Sequence, residues 1–183
     1  MPIAAKISRE IFKPHLEVEG LCNMSGEIKV SGAKNSALVL MAASLLTEEK
    51  VTISNVPNLS DISGMEEILL TLGVDVERRH DQLKVKGANL RHVALPYNLV
   101  HGLRASFFCI GPLLTRLGKA TIPLPGGCEI GARPVVEHIR GLKALGAFIN
   151  VQNGVVTASI PGVRQRLKGA DIVLDCPSVG ATE

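Results

Sequence analysis

The chain repeats itself, and that repeat restricts the possible folds more than any other feature. GEIKVSGAKNSALVLMAASLLTEEKVTI, beginning at Gly26, returns as LVHGLRASFFCIGPLLTRLGKATI from Leu99. Aligning Gly32 with Gly102 places Lys34 on Arg104 and Ser36 on Ser106. With short gaps, Leu46-Thr47 falls on Leu114-Thr115 and Val51-Thr52-Ile53 on Ala120-Thr121-Ile122. Further along, LLTLGVDV at Leu69 matches LKALGAFI at Leu142. A period of roughly 70 residues is too long for a solenoid and suits a subdomain. The two copies run over about 26–90 and about 95–165, and a third opens at about 170. In that third copy Ile172 to Leu174 reads as a strand, and Ser178-Val179-Gly180-Ala181-Thr182 stands where Ser31-Gly32-Ala33-Lys34 stood. The chain ends at Glu183, where the third buried helix is due, so it reads as a piece that stops before its domain is complete.

Each copy is expected to run strand, helix, strand, helix, strand, strand. Glu27 to Val30 alternates polar and apolar residues, as a half-buried strand does. Ser36 to Leu46 is apolar nearly all round, which predicts a helix buried on every side. Its counterpart, Ala105 to Leu117, is similar, with a kink expected at Gly111-Pro112. The second helix of copy one, from Asp61, sets Ile62, Met65, Ile68, Leu69 and Leu72 on one face against Glu66 and Glu67 on the other, and Gly73 is its expected stop. Val74 to Glu77 and Gln82 to Val85 predict a hairpin around His80-Asp81. Strands such as KVTIS and QLKVK alternate, whereas strands covered on both faces are continuously apolar. The expected class is therefore α+β, built of α/β repeats, with helices packed inside a shell of sheets.

Composition removes several functions. With 46 % hydrophobic and 20 % charged residues and a net charge of +3, the balance is globular, and the basic residues are scattered. One Tyr, four Phe and no Trp leave too few aromatics for a base-stacking platform, which argues against a nucleic-acid partner. The amino terminus lacks the apolar stretch of a secretory signal, and the longest apolar run, Ala37 to Leu46, is about half a membrane span. A cytoplasmic address with reduced thiols is the expectation. Cys22, Cys109, Cys128 and Cys176 form no CxxC pair and the histidines are not at zinc-ligand spacing, so no metal site is expected.

Two places carry chemistry. Lys34 and Asn35 follow a glycine turn into a helix, whose free N–H groups and positive dipole end suit a phosphate beside a lysine. Arg104 is the equivalent cation of copy two, as two repeats folding around a shared anionic site require. By spacing alone, the same residues also fit solvated charges on helix caps. The stretch from Pro125 to Pro134, PGGCEIGARP, interrupts the repeat where copy one has only NVPNLSDISG. A thiol there, Cys128, near the Arg133 guanidinium and a helix start has the setting of a low-pKa thiolate, the alternative being a surface loop with an incidental cysteine. Cys109, inside an apolar helix, reads as a core residue.

SGAKNSAL, LRAS, LPGGCEIGARPVVEH and DCPSVGAT, in this order, resemble the enolpyruvyl transferases that use UDP-N-acetylglucosamine, from about Leu16 to Glu183. The resemblance implies two domains, each an inside-out α/β barrel of three βαβαββ units, of which this chain holds two units of the first. It implies transfer of the enolpyruvyl group of phosphoenolpyruvate to the 3-hydroxyl of UDP-N-acetylglucosamine, without a cofactor, through a tetrahedral ketal. Lys34, Asn35 and Arg133 would form the phosphoenolpyruvate site, Asn35 also reaching the sugar. Arg104, Pro134, Val135, Val136, Glu137, Ser178 and Val179 would hold UDP-N-acetylglucosamine, with Val136-Glu137 and Cys176-Pro177 departing from the usual family residues. Cys128 would be the active-site thiol, on a mobile loop, and the residue alkylated by fosfomycin. The segment 1–20, with a strand at about Leu16 to Gly20, would pair into the second domain, with 21–183 forming the incomplete first domain. The catalytic base and a further arginine belong to that second domain, so this chain alone is expected to be inactive.

Two other readings fit the same residues. One is a non-catalytic nucleotide-sugar binding module completed by a partner chain. The other is a different enzyme on the same architecture, a shikimate-type enolpyruvyl transferase or an RNA 3′-phosphate cyclase, which the PGGC loop disfavours.

Overall fold

The structure is a computed structural model that describes residues 6–7, 16–18, 20, 23, 25–126, 135–162 and 166–183. It divides into two compact units, Met1–Val30 and Ser31–Glu183. In the first, strand β1 (Lys6–Ile7) pairs antiparallel with β2 (Leu16–Glu17) in the register Lys6 to Glu17 and Ile7 to Leu16. Part of the segment expected to pair into a second domain, Leu16–Glu17, is here paired within the chain. Glu27–Val30 is not the expected strand. Ile28 is 90 % exposed and Val30 78 %, and among the described residues neither lies in a ladder.

The second unit contains the repeat. Copy one consists of α1 (Lys34–Ala43), a 3-10 turn (Ser44–Leu46), β3 (Lys50–Ile53), α2 (Ser60–Thr71), β4 (Asp75–Arg79) and β5 (Gln82–Lys86). After the short helix α3 (Tyr97–His101), copy two consists of a 3-10 turn (Arg104–Cys109), α4 (Ile110–Leu117), β6 (Lys119–Pro123), α5 (Val136–Ala144), β7 (Phe148–Gln152) and β8 (Val155–Ser159). Each copy closes a three-stranded antiparallel sheet, ordered β3-β5-β4 in one and β6-β8-β7 in the other, with the last strand in the middle.

The copies agree hydrogen bond by hydrogen bond. Helix α2 ends with Gly73 N–H donating to Leu70 and Val74 N–H to Leu69, and α5 ends with Gly146 to Lys143 and Ala147 to Leu142. Both glycines have positive φ, +84° and +91°, which only glycine adopts without strain. Each hairpin turn then receives a bond from the strand exit two elements earlier: Val56 N–H to Asp81, and Leu124 N–H to Gly154.

Burial follows the sequence pattern in α2. Ile62, Met65, Ile68, Leu69 and Leu72 are fully buried while Glu67 is exposed. At about 1.5–3 kcal/mol for each fully buried side chain, this one stripe is a main source of the unit's stability. In the sheets the same logic has period two: Leu83 and Val85 of β5, and Val156 and Ala158 of β8, face the core. Helix α1 departs from expectation. Ala37, Leu38, Met41 and Ala42 are buried, but Leu40 is 51 % exposed, because among the described residues nothing covers that face. The expected kink at Gly111-Pro112 is instead a change from 3-10 turn to α-helix just before it. Pro112 then falls in the first turn of α4, where its missing N–H costs nothing. The third copy begins with irregular backbone at Ile172–Leu174, where a strand was expected, and then the single-turn helix α6 (Val179–Thr182). No helix among the described residues is long and apolar enough to cross a membrane.

Candidate active site

The three copies bring their starts together. Lys34 is the first residue of α1, Arg104 the first of the 3-10 turn that opens copy two, and Ser178 the N-cap of α6, accepting from the Ala181 N–H at 3.3 Å. All three line one cavity of about 630 Å³ within the second unit. Asn35, Val135 and Val179 line it as well.

Local backbone explains how Lys34 is placed. The turn before α1 presses on the strand exit at Asn55, so closely that a Cβ at Gly32 would stand 1.7 Å from the Asn55 carbonyl oxygen. Only glycine fits, and the tight turn delivers Lys34 to the cavity rim. The helix it opens has no capping side chain and no acid in its first turn. A lysine at a helix N-terminus opposes the dipole unless an anion is nearby, at about 0.3–1 kcal/mol. Here the anion is Asp61, in the first turn of α2, whose Oδ2 lies 2.6 Å from Lys34 Nζ. The sequence marked Asp61 only as a helix start, and its proximity to Lys34 depends on how α1 packs on α2.

His138 is a second residue that pattern reading missed. Aligning LLTLG with LKALG puts it at the position of Met65, which is fully buried in copy one. The imidazole sits edge-on to Phe107, with ring centroids 5.3 Å apart, and faces the cavity. The backbone of Gly180 approaches so closely that a Cβ there would stand 3.0 Å from His138 Nε2. Nδ1 is buried and has no hydrogen-bond partner among the described residues. Burial first, and the nearby Arg104 charge second, hold this histidine below its ordinary pKa. A polar ring where the other copy has methionine is the signal by which the repeat could have revealed it.

Other expected residues fall elsewhere. Glu137 is buried, and its carboxylate accepts the Asp175 N–H at 3.1 Å while Arg140 pairs with Asp175. That triad fastens the approach to copy three onto α5. Val136 is exposed, and neither it nor Glu137 lines the cavity. Cys109 is buried, its thiol pushed up to about 12 by desolvation, as its place in an apolar helix suggested. Cys128, Arg133 and Pro134 lie outside the described residues, as does Cys22. Among the described residues no cluster of His, Cys, Asp and Glu could hold a metal ion.

The cavity is lined by the starts of three repeats, two of which begin with a cation, in an α+β protein of repeated units. Solved structures of similar fold include enolpyruvyl transferases. The enolpyruvyl transferase NikO from Streptomyces tendae superposes with a TM-score of 0.65 at 22 % identity, over 79 % of this chain and 31 % of that one. The EPSP synthase from Acinetobacter baumannii gives 0.66 at 18 %, over 85 % of this chain and 36 % of that one. Residues 18–183 match the family described as EPSP synthase (3-phosphoshikimate 1-carboxyvinyltransferase), and the chain belongs to that family. Within it the chain is similar to proteins named UDP-N-acetylglucosamine 1-carboxyvinyltransferase. It is 65 % identical over 183 residues to that of Prochlorococcus marinus (strain MIT 9313) and 62 % to that of Synechococcus sp. (strain CC9605). It spans 42 % of the length of each of these relatives.

Proposed function

We propose that this chain carries one side of the active site of a UDP-N-acetylglucosamine 1-carboxyvinyltransferase. The observation that carries the reading is the convergence of Lys34, Arg104 and the Ser178 cap on one cavity. Relatives of that name at up to 65 % identity favour it over the shikimate-type alternative. The overall architecture would be the inside-out barrel, completed by a third unit and a second domain. The enzyme would work in the cytoplasm without metal or cofactor, at the first committed step of peptidoglycan synthesis.

In this reading the sugar 3-hydroxyl attacks C2 of phosphoenolpyruvate while a proton is added to its methylene carbon, giving a tetrahedral ketal. Loss of phosphate and of a methyl proton then leaves the enolpyruvyl ether. Lys34 and Arg133 neutralise the phosphate and carboxylate as the ketal forms, and Asn35 stands between them and the sugar. Arg104, Pro134, Val135, Ser178 and Val179 hold the nucleotide sugar. Val136 and Glu137 act at the edge of that site, Glu137 by fixing the Asp175 turn that precedes Ser178. Cys128 is the thiol of the loop that closes over substrate.

Phosphate release by the intact protein, dependent on both substrates, is the test. Lys34→Ala is expected to cut turnover by at least about a hundredfold, the scale of one lost charged transition-state contact. Fosfomycin is expected to leave a single adduct, mapped by mass to Cys128 and formed faster with UDP-N-acetylglucosamine present. Near-normal phosphoenolpyruvate kinetics in Lys34→Ala, or an adduct on Cys109 instead, would overturn the assignment.

A further inference from the structure

We infer that Asp61 is the internal counter-ion of Lys34, and that an anion entering the cavity binds by exchange, taking the lysine over from this carboxylate. The inference rests on the reading of Lys34 as a phosphate ligand and adds a residue to it.

Both partners line the same cavity, and their contact is 2.6 Å. Their side chains remain 45 % and 33 % exposed, so the pair is reached by solvent and by solutes. A pair this exposed is weak, because water and salt screen it and two side chains must be held still. Exchange is therefore easy. It is also required, because a phosphate on Lys34 Nζ would face the Asp61 carboxylate across a single ammonium. Two anions sharing one cation repel each other, and the one with more partners stays.

The physical consequence is a competition. The affinity of an anion for the cavity is reduced by the fraction of time Lys34 spends on Asp61.

The experiment uses inorganic phosphate as probe, titrated into the intact protein and followed by calorimetry. Four proteins are compared: wild type, Asp61→Asn, Lys34→Ala and the double variant. Asp61→Asn is expected to bind phosphate about 3- to 10-fold more tightly, the range for a lysine engaged two-thirds to nine-tenths of the time. Asp61→Glu, which restores the carboxylate, is expected to return the affinity towards wild type. In the Lys34→Ala background the gain is expected to vanish, since the exchange acts only through Lys34. Unchanged or weaker binding by Asp61→Asn would overturn the inference. So would an equal gain with and without Lys34, which would mean plain repulsion by Asp61. Phosphate affinity indifferent to Lys34 in both backgrounds would instead overturn the phosphate reading of Lys34, and with it the basis of the exchange.

Discussion

Arg116→Met removes a guanidinium that ties copy two to copy one while leaving an apolar stem of similar bulk. In the structure Arg116 Nη1 donates to the Leu45 carbonyl at 2.9 Å, and Nη2 to the Gly87 carbonyl at 3.3 Å. Nη2 also reaches Glu48 Oε1 at 3.1 Å, but the Glu48 side chain is 73 % exposed. The two carbonyls and the carboxylate carry different weights. Hydrogen bonds from a charged donor contribute about 1.5–3 kcal/mol each, the longer one less, whereas an exposed ion pair contributes about 0–1 kcal/mol. Losing the clamp is therefore expected to cost about 2–4 kcal/mol. For a domain of this size that lowers Tm by about 5–15 °C. Urea unfolding of the intact protein followed by circular dichroism measures the loss, with Glu48→Ala as the control expected to change stability by less than about 1 kcal/mol. The clamp also fixes the two repeats that carry Lys34 and Arg104, so Arg116→Met is expected to weaken anion binding as well. A cost below about 1 kcal/mol, or Glu48→Ala costing as much as Arg116→Met, would refute the assignment of the energy to the carbonyls.

His138→Met, which copies Met65 of the first repeat, is expected to flatten the acid side of the stability profile. The folded-state pKa of His138 lies below the ordinary value of about 6.5, so the unfolded chain takes up the proton first. Wild-type stability then falls as pH drops below about 6.5 and keeps falling through the folded pKa, and the variant should lose less over that interval. Thermal melts at a series of pH values between neutral and mildly acidic decide this, and identical slopes would return His138 to a bystander role. The buried thiol of Cys109, pushed up to about 12, is expected to resist iodoacetamide in the native protein while the exposed Cys176 reacts. Peptide mass mapping checks it, and native-state alkylation of Cys109 at the Cys176 rate would contradict its burial.

Much of the fold was local and therefore legible. The stripe from Ile62 to Leu72 named its own buried face, because a helix shows 3.6-residue periodicity whatever it packs against. The hairpin around His80-Asp81 and the glycine stop at Gly73 are likewise written in a few adjacent residues. The repeat did more, since matching Lys34 to Arg104 pointed to a shared site before any contact was known. What the sequence left open were quantities that need a second element. Glu27–Val30 and Ile172–Leu174 have strand patterns, but a strand exists only against a partner edge, and among the described residues they have none. Leu40 belongs to a helix apolar on all sides, yet whether that side is covered depends on what packs there. Asp61 and His138 came to line the cavity only when α1, α2, α5 and the copy-two turn closed on it. Periodicity says which face of an element turns inward; only packing decides which side chains meet across the gap, because those neighbours are far apart in sequence and their approach is fixed by the whole core.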